Sequence, residues 1–177
     1  MIKIADNPQE VTFSADELIV TKTNLQGKIT YANRTFMRVA NFAESHLLGY
    51  DHNIIRHPEM PRGVFYGLWK TLKEKHEFFG FVKNLTSDGH YYWVFANITP
   101  DYVGKDVVGY YSVRRQAPKV AVETINQIYK EMLDREKTFS RQEAPQASWN
   151  WMLQAVYERT GKEYEELVLE LYQSNIK

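Results

Sequence analysis

The chain has 177 residues, equal numbers of acidic and basic side chains, and no cysteine. A formal net charge of zero excludes the strong field that would attract nucleic acid or an anionic membrane surface. Without cysteine the chain has no disulfides, thiolate metal sites, iron–sulfur clusters or cysteine nucleophiles. No apolar run approaches the roughly 18 residues of a membrane span, and no signal peptide is evident. We therefore expect a soluble cytoplasmic protein with one domain, alone or with an appendage.

The first third of the chain is predicted to hold a hairpin and short helices. An irregular leader covers residues 1–12. Apolar and polar residues then alternate over 17–23 and 28–32, on either side of a Gly-containing turn, which predicts two paired strands. Asn33 is suited to cap a short helix. A further helical turn is expected over 43–48.

A longer helix is predicted to begin near Pro61, and three strands follow it. Its apolar face is built from side chains at helical spacing, namely Val64, Phe65, Leu68, Trp69 and Leu72. The strands are predicted at 78–85, 90–99 and 107–114, with a loop over 100–106. The order of elements is therefore two strands, several helices and three strands.

From Pro118 to the end of the chain the apolar residues recur at helical spacing. The polar stretch 139–146 contains a proline and is predicted to be a linker. Ser148 is predicted to cap the next helix, and Gly161 to end it. A last helix follows, so the C-terminal part is expected to be helical throughout.

The most informative segment is the ten residues that begin at His52 and end with a proline. His52 and His57 are five residues apart, about 140° around a helix, so they cannot chelate a metal as an i, i+4 pair would. Arg56, His57 and Glu59 suit a salt-bridged capping group at a helix junction. Arg56 equally suits a phosphate or a flavin carbonyl edge, because its planar guanidinium makes bidentate contacts.

Three further side chains are open to two interpretations. Trp69 lies on an apolar helix face, where large aromatic residues usually belong to the core. Asn84 faces either solvent or the carbonyl and imide edge of an aromatic heterocycle, which would satisfy its hydrogen-bonding groups. Trp93, on the neighbouring predicted strand, belongs either to the core or to a ligand site.

The order of elements and the residues within them resemble the PAS family. Residues 25–33 resemble the usual PAS opening, and residues 52–61 resemble the diagnostic segment of aerotaxis-receptor PAS domains. The resemblance covers about 12–117. It implies an α+β PAS fold, in which a five-stranded antiparallel sheet carries short helices on one face. The expected organisation is a leader over 1–12, a PAS sensor domain over 13–117 and a helical extension over 118–177.

The resemblance implies a function, because that family binds FAD non-covalently and senses redox state. The residues that it implies as cofactor contacts are His52, Arg56, His57, Glu59 and Trp69, with Asn84 and Trp93 added from their strand positions. The family most often has aspartate where Glu59 stands. The expected protein is a non-enzymatic cytoplasmic sensor of redox state or oxygen-linked energy metabolism, as in aerotaxis and chemotaxis.

The residues also allow two other functions, a haem-binding gas sensor and a cofactor-free adaptor. The absence of cysteine excludes the cysteinyl–flavin photochemistry of light-sensing PAS relatives. A haem-binding gas sensor would use His52 or His57 as its axial ligand, and a cofactor-free PAS module would act as a dimerising adaptor. In each case we expect the helices of 118–177 to contact a second copy of the chain or a partner signalling protein. Neither nucleic acid nor a membrane span is expected.

Overall fold

The computed structural model describes residues 2–176, and its centre is one antiparallel sheet in the order β2-β1-β5-β4-β3. The strands are β1 (Ile19–Asn24), β2 (Ile29–Ala32), β3 (Phe78–Leu85), β4 (Tyr91–Val103) and β5 (Asp106–Gln116). Each neighbouring pair is antiparallel. The predicted α+β fold with a five-stranded antiparallel sheet is therefore confirmed.

Five α-helices accompany the sheet, and two 3₁₀ turns lie over Glu44–His46 and His52–Ile55. The helices are α1 (Arg34–Ala40), α2 (Arg62–Lys73), α3 (Lys119–Glu136), α4 (Ala144–Thr160) and α5 (Tyr164–Gln173). Asn33 caps α1 as predicted, since its side-chain oxygen accepts the Phe36 N–H at 3.0 Å. Among residues 2–176 no helix is both long and apolar enough to cross a membrane.

The predicted loop over 100–106 is wrong, because β4 continues to Val103 and β5 already begins at Asp106. Pro100 is tolerated inside β4 because the strand has only one neighbour there. The pairing of β3 with β4 ends at Phe78 opposite Ile98, so the proline lies beyond that neighbour. The sequence signal of a strand-breaking proline is therefore overridden by its position at a free edge.

The predicted cap at Ser148 is also wrong, and the linker is shorter than 139–146. Helix α4 begins at Ala144, with Pro145 in its first turn, where its missing N–H is not needed. Ser148 lies inside the helix and is buried. The proline that indicated a linker thus marks a helix start.

The helices cover both faces of the sheet. Helices α1 and α2 and the second 3₁₀ turn lie over one face, which carries Ala96 and Arg114 and is called the inner face. On the outer face, Trp93 of β4 stacks with Tyr129 of α3 at 6.4 Å between ring centroids, and Phe95 with Tyr172 of α5 at 4.0 Å. This double burial explains why β4 carries apolar residues on both faces instead of alternating with polar ones.

Helix α4 packs closely on α2 across two glycines. A Cβ at Gly63 would lie 2.9 Å from the Trp149 backbone nitrogen, and a Cβ at Gly67 would overlap the Trp149 indole. Glycine is therefore required at both positions for the helices to approach this closely. The C-terminal helices and the sheet share one buried core.

Candidate functional site

A cavity of about 520 Å³ lies between the inner face of the sheet and α2. Its volume is in the range of small-molecule sites. The 3₁₀ turn and α2 form one side with His52, Arg56, Phe65, Leu68 and Trp69. The sheet forms the other side with Thr21, Val82, Asn84, Ala96, Tyr110, Ser112 and Arg114. The cavity thus has apolar walls and a few polar groups that converge on it.

Arg114 is the most unusual group in this cavity. Its side chain is 2% exposed, and among residues 2–176 no carboxylate forms an ion pair with it. One nitrogen, Nη2, donates to the Thr21 hydroxyl and lies 3.1 Å from His52 Nε2. The other two, Nε and Nη1, are buried without a partner in the described part of the chain. Burial lowers the pKa of Arg114 to about 10, so it stays charged at neutral pH.

Two further polar side chains, Tyr92 of β4 and Asn84 of β3, are buried on the same face of the sheet as Arg114. Tyr92 is fully buried, and among residues 2–176 its hydroxyl has no hydrogen-bond partner. Burial raises the pKa of Tyr92 above its usual range, and the charge of Arg114 partly offsets this. Asn84 pairs with Tyr92 across β3 and β4 and is also buried. Arg114 and Asn84 thus bring polar groups into the wall of the cavity, whereas Tyr92 is not part of its lining.

His52 is held as a neutral ring. It stacks parallel to Phe36 with ring centroids 6.0 Å apart, and its Nε2 lies 3.2 Å from Thr21 Oγ1. Burial, and then the charge of Arg114, lower its pKa to about 3. Since arginine only donates, Nε2 of this histidine is the acceptor side of its contact with Arg114.

Arg56 and Trp69 lie where the cavity opens. The Arg56 guanidinium lies 3.9 Å from the centroid of the Phe65 ring, and its Nη2 donates to the Met60 carbonyl at 3.4 Å. Burial lowers the pKa of Arg56, and the charge of Glu136 partly offsets this. Trp69 is 37% exposed and meets Tyr110 edge to face at 5.3 Å between ring centroids. These side chains therefore border both the cavity and the surface.

A second, open groove adjoins the cavity at Arg56, Phe65 and Trp69, which line both. Its volume is about 590 Å³. The groove also contains Arg62, Lys70 and Lys73, and none of the described residues that line it is acidic. A positively charged surface is thus continuous with the mouth of the cavity.

The structure brings together four of the predicted site residues, namely His52, Arg56, Trp69 and Asn84. The other three lie outside the cavity. Trp93 is on the outer face of the sheet, against α3. Glu59 is 62% exposed, and its carboxylate pairs with the Lys83 ammonium at 2.6 Å. The positions of these residues do not support direct contact with a ligand in the cavity.

His57 belongs to the capping arrangement that the sequence left open as an alternative. Its Nδ1 accepts the backbone N–H of Glu59 at 3.1 Å, and its ring meets Tyr91 at 6.2 Å between centroids. Burial, and then the charge of Lys83, lower the pKa of His57 to about 4, with Glu59 opposing. In residues 2–176 no group of three or more histidine or acidic side chains is placed to hold a metal ion.

Sequence reasoning missed Arg114 and the polar residues beside it. Tyr110, Ser112 and Arg114 alternate along β5 and line the cavity, while the residues between them face the other side. This alternation was visible in the sequence. A basic residue on the inward face of a strand beside a buried hydroxyl is the signal that would have identified the site.

His52 and His57 make the stability of the folded chain sensitive to acid. Their folded pKa values, about 3 for His52 and about 4 for His57, lie below the ordinary value of 6.5. As the pH falls below 6.5, only the unfolded chain takes up these protons, so stability falls with falling pH. We expect the free energy of unfolding to drop by roughly 3 kcal/mol or more between pH 7 and pH 4, measured by denaturant titration. His52→Gln should flatten this slope, whereas the same change at the exposed His76 should not.

The sequence matches the family model described as PAS fold over residues 29–113. The chain is 36% identical over 122 residues to the aerotaxis receptor of Escherichia coli (strain K12), a match that covers 69% of this chain and 24% of the receptor. It is 30% identical over 81 residues to a nitrogen fixation regulatory protein of Klebsiella pneumoniae, covering 46% of this chain and 16% of that protein. The chain thus spans about a quarter or less of these relatives.

Solved structures show the same fold. The light-state structure of the blue-light photoreceptor Aureochrome1 LOV superimposes with a TM-score of 0.56 at 16% identity, covering 64% of this chain and 91% of that one. A PAS domain from Colwellia psychrerythraea gives a TM-score of 0.52 at 20% identity, covering 56% and 85%. The chain therefore belongs to the PAS family and is a relative of the aerotaxis receptor.

Proposed function

We propose that the cavity binds a flavin non-covalently, in the form of FAD, and that the chain is a non-enzymatic sensor of redox state. The observation that carries this proposal is the buried Arg114 guanidinium, whose Nε and Nη1 have no protein partner in the described residues. A buried charge without a counter-charge is unfavourable by several kcal/mol unless a ligand supplies acceptors. The resemblance to the aerotaxis-receptor family supports the choice of a flavin.

The side chains of the cavity fit the chemistry of a flavin ring. Its carbonyl and imide edge would accept hydrogen bonds from Nε and Nη1 of Arg114, which lack partners among the described residues. The Asn84 amide both donates and accepts, as an imide requires. Phe65 and Leu68 supply apolar walls for the faces of the ring. When bound, a flavin supplies reversible uptake of electrons, while the protein supplies orientation and electrostatics.

The basic groove supports FAD over smaller flavins. It shares Arg56 with the cavity and adds the side chains of Arg62, Lys70 and Lys73. Phosphate groups favour such cationic surroundings, and arginine can contact them with two parallel hydrogen bonds. The diphosphate of FAD extends beyond the ring system by a flexible chain, which suits a groove at the mouth of the cavity.

The haem alternative is less consistent with the histidines. Nε2 of His52 faces the Arg114 cation at 3.1 Å, which is unfavourable for a bound iron ion. His57 lies outside the cavity, and its Nδ1 already accepts a backbone N–H. Nε2 of His52 and Nδ1 of His57 are therefore both already engaged in other contacts.

Titration of the purified protein with FAD, FMN and riboflavin tests the proposal. We expect visible flavin absorption to remain with the protein after gel filtration, and FAD to bind about 10-fold or more tightly than riboflavin, about 1.4 kcal/mol. The double variant Lys70→Glu/Lys73→Glu should lose this preference, because it reverses two charges in the groove. Lys105→Glu, on the exposed turn between β4 and β5, is the matched control. A wild-type protein that binds none of the three compounds would refute the proposed function.

A further inference from the structure

One carboxylate connects three helices at the N-terminal end of α2, the helix that lines the cavity with residues further along. Glu136, the last residue of α3, accepts the Gly63 N–H at 2.8 Å and the Ser148 hydroxyl at 2.7 Å, both with Oε1. Gly63 lies in the first turn of α2, where backbone N–H groups lack helical partners. Ser148 is buried within α4. The joint therefore fixes the C-terminal helices to the helix that forms one wall of the cavity.

The Arg56 guanidinium lies beside the same end of α2, because its Nη2 donates to the Met60 carbonyl, three residues before Gly63, and it lines one groove together with Arg62 and Pro145. Arg56 lines the cavity and lies over the ring of Phe65, which α2 carries half a turn after Gly63. The negative charge of Glu136 stabilises the charged form of Arg56, which opposes the effect of burial on its pKa. The positive charge of Arg62 has the opposite effect and lowers the pKa of Arg56. The charge of Glu136 thus partly offsets the unfavourable burial of a cation that lines the cavity.

We propose that Glu136 couples the charge inside the cavity to the docking of the C-terminal helices on α2. This inference rests on the proposed function, in which the bound flavin supplies that charge. A negative charge in the cavity attracts the Arg56 cation, whose charged form Glu136 also stabilises, and it repels the Glu136 carboxylate. The hydrogen bonds that Glu136 accepts from Gly63 and Ser148 are then weaker, so α3 and α4 dock less stably on α2. By linkage, firm docking of these helices disfavours negative charge in the cavity.

A double-mutant cycle on the cofactor-free protein tests the coupling between Arg56 and Glu136. Arg56→Gln and Glu136→Gln should together shift the unfolding midpoint by less than the sum of their separate shifts. The matched control is Glu131→Gln, because Glu131 is on the same helix and forms a bidentate ion pair with Arg159 of α4, at 2.8 and 2.7 Å. Its effect should add to that of Arg56→Gln. Additive effects for Arg56 and Glu136 would overturn the proposal.

Hydrogen exchange on the flavin-loaded protein tests the link to the helices. Reduction should speed the exchange of backbone amides over residues 130–150 in the wild-type protein. Glu136→Gln should abolish this difference and raise the affinity for the reduced cofactor about 5-fold or more, whereas Glu131→Gln should keep the difference. Retention of the difference in Glu136→Gln would overturn the inference. If the wild-type protein takes up no flavin, the proposed function fails, and the cycle on the cofactor-free protein alone decides for or against the role of Glu136.

Discussion

Replacement of Arg114 by methionine is expected to lower the affinity for flavin roughly 100-fold and to stabilise the cofactor-free protein. The loss of affinity follows from the Nε and Nη1 donors, which are buried without partners in the described chain. Two hydrogen bonds from a charged donor contribute about 3 kcal/mol together, which is roughly a 100-fold change in affinity. The gain in stability follows because methionine fills a similar space without a buried charge.

A loss of flavin affinity combined with a gain in stability distinguishes a ligand-binding role of Arg114 from a structural one. A structural arginine would lower both stability and flavin affinity when replaced, since Thr21 and His52 would lose a partner. Isothermal titration with flavin and thermal unfolding without it measure the two effects. Arg115→Met is the matched control, because Arg115 follows on β5 with its side chain on the other face of the sheet. A variant at Arg114 that binds flavin as tightly as the wild-type protein would contradict the proposed site.

The fold was predictable where local signals agree with tertiary structure. The Gly-containing turn after β1, the Asn33 cap and the alternating strands all act over a few residues, so their pattern predicts the element. Pro100 and Pro145 show the limit of such reasoning. Each proline predicts a break in structure, yet one lies at a free strand edge and the other in a first helical turn.

The candidate site was predictable only in part, because the direction in which a side chain points matters as much as the spacing of the residues in the sequence. His52 and His57 belong to one polar segment, but the 3₁₀ turn ends between them at Ile55. The first ring therefore faces the cavity, and the second packs against Tyr91. No pattern in the segment itself determines this change of direction. It depends on the sheet and α2, which lie far away in sequence.

Helix α2 has two roles, which makes its glycines sensitive positions. One side of the helix lines the cavity with Phe65, Leu68 and Trp69. The opposite side holds Gly63 and Gly67 against α4. A change of position in α2 therefore affects both the cavity and the C-terminal helices. Such a shared, closely packed element can carry a signal between two sites, because packed interfaces move as units.

Gly67→Ala is expected to destabilise the protein by about 2 kcal/mol, mainly by loosening α4. In an exposed helix this change would stabilise by about 1 kcal/mol, because alanine favours the helical conformation. Here the added methyl group would overlap the rigid indole of Trp149, and overpacking of this kind costs about 1–3 kcal/mol. Helix α4 must then move away and expose Trp149, which is 6% exposed in the native fold. Denaturant unfolding and hydrogen exchange over α4 measure the two consequences.

A second substitution tests whether the contact with Trp149 is the cause. Trp149→Leu removes the ring atoms that the new methyl group would meet, at the expense of buried apolar surface. In the double variant Gly67→Ala/Trp149→Leu, the alanine should therefore be tolerated, and the total loss of stability should fall short of the sum by about 1 kcal/mol or more. Strictly additive losses would show that α2 and α4 do not meet at Gly67. Coupled losses would establish the contact through which the C-terminal helices are held on the wall of the cavity.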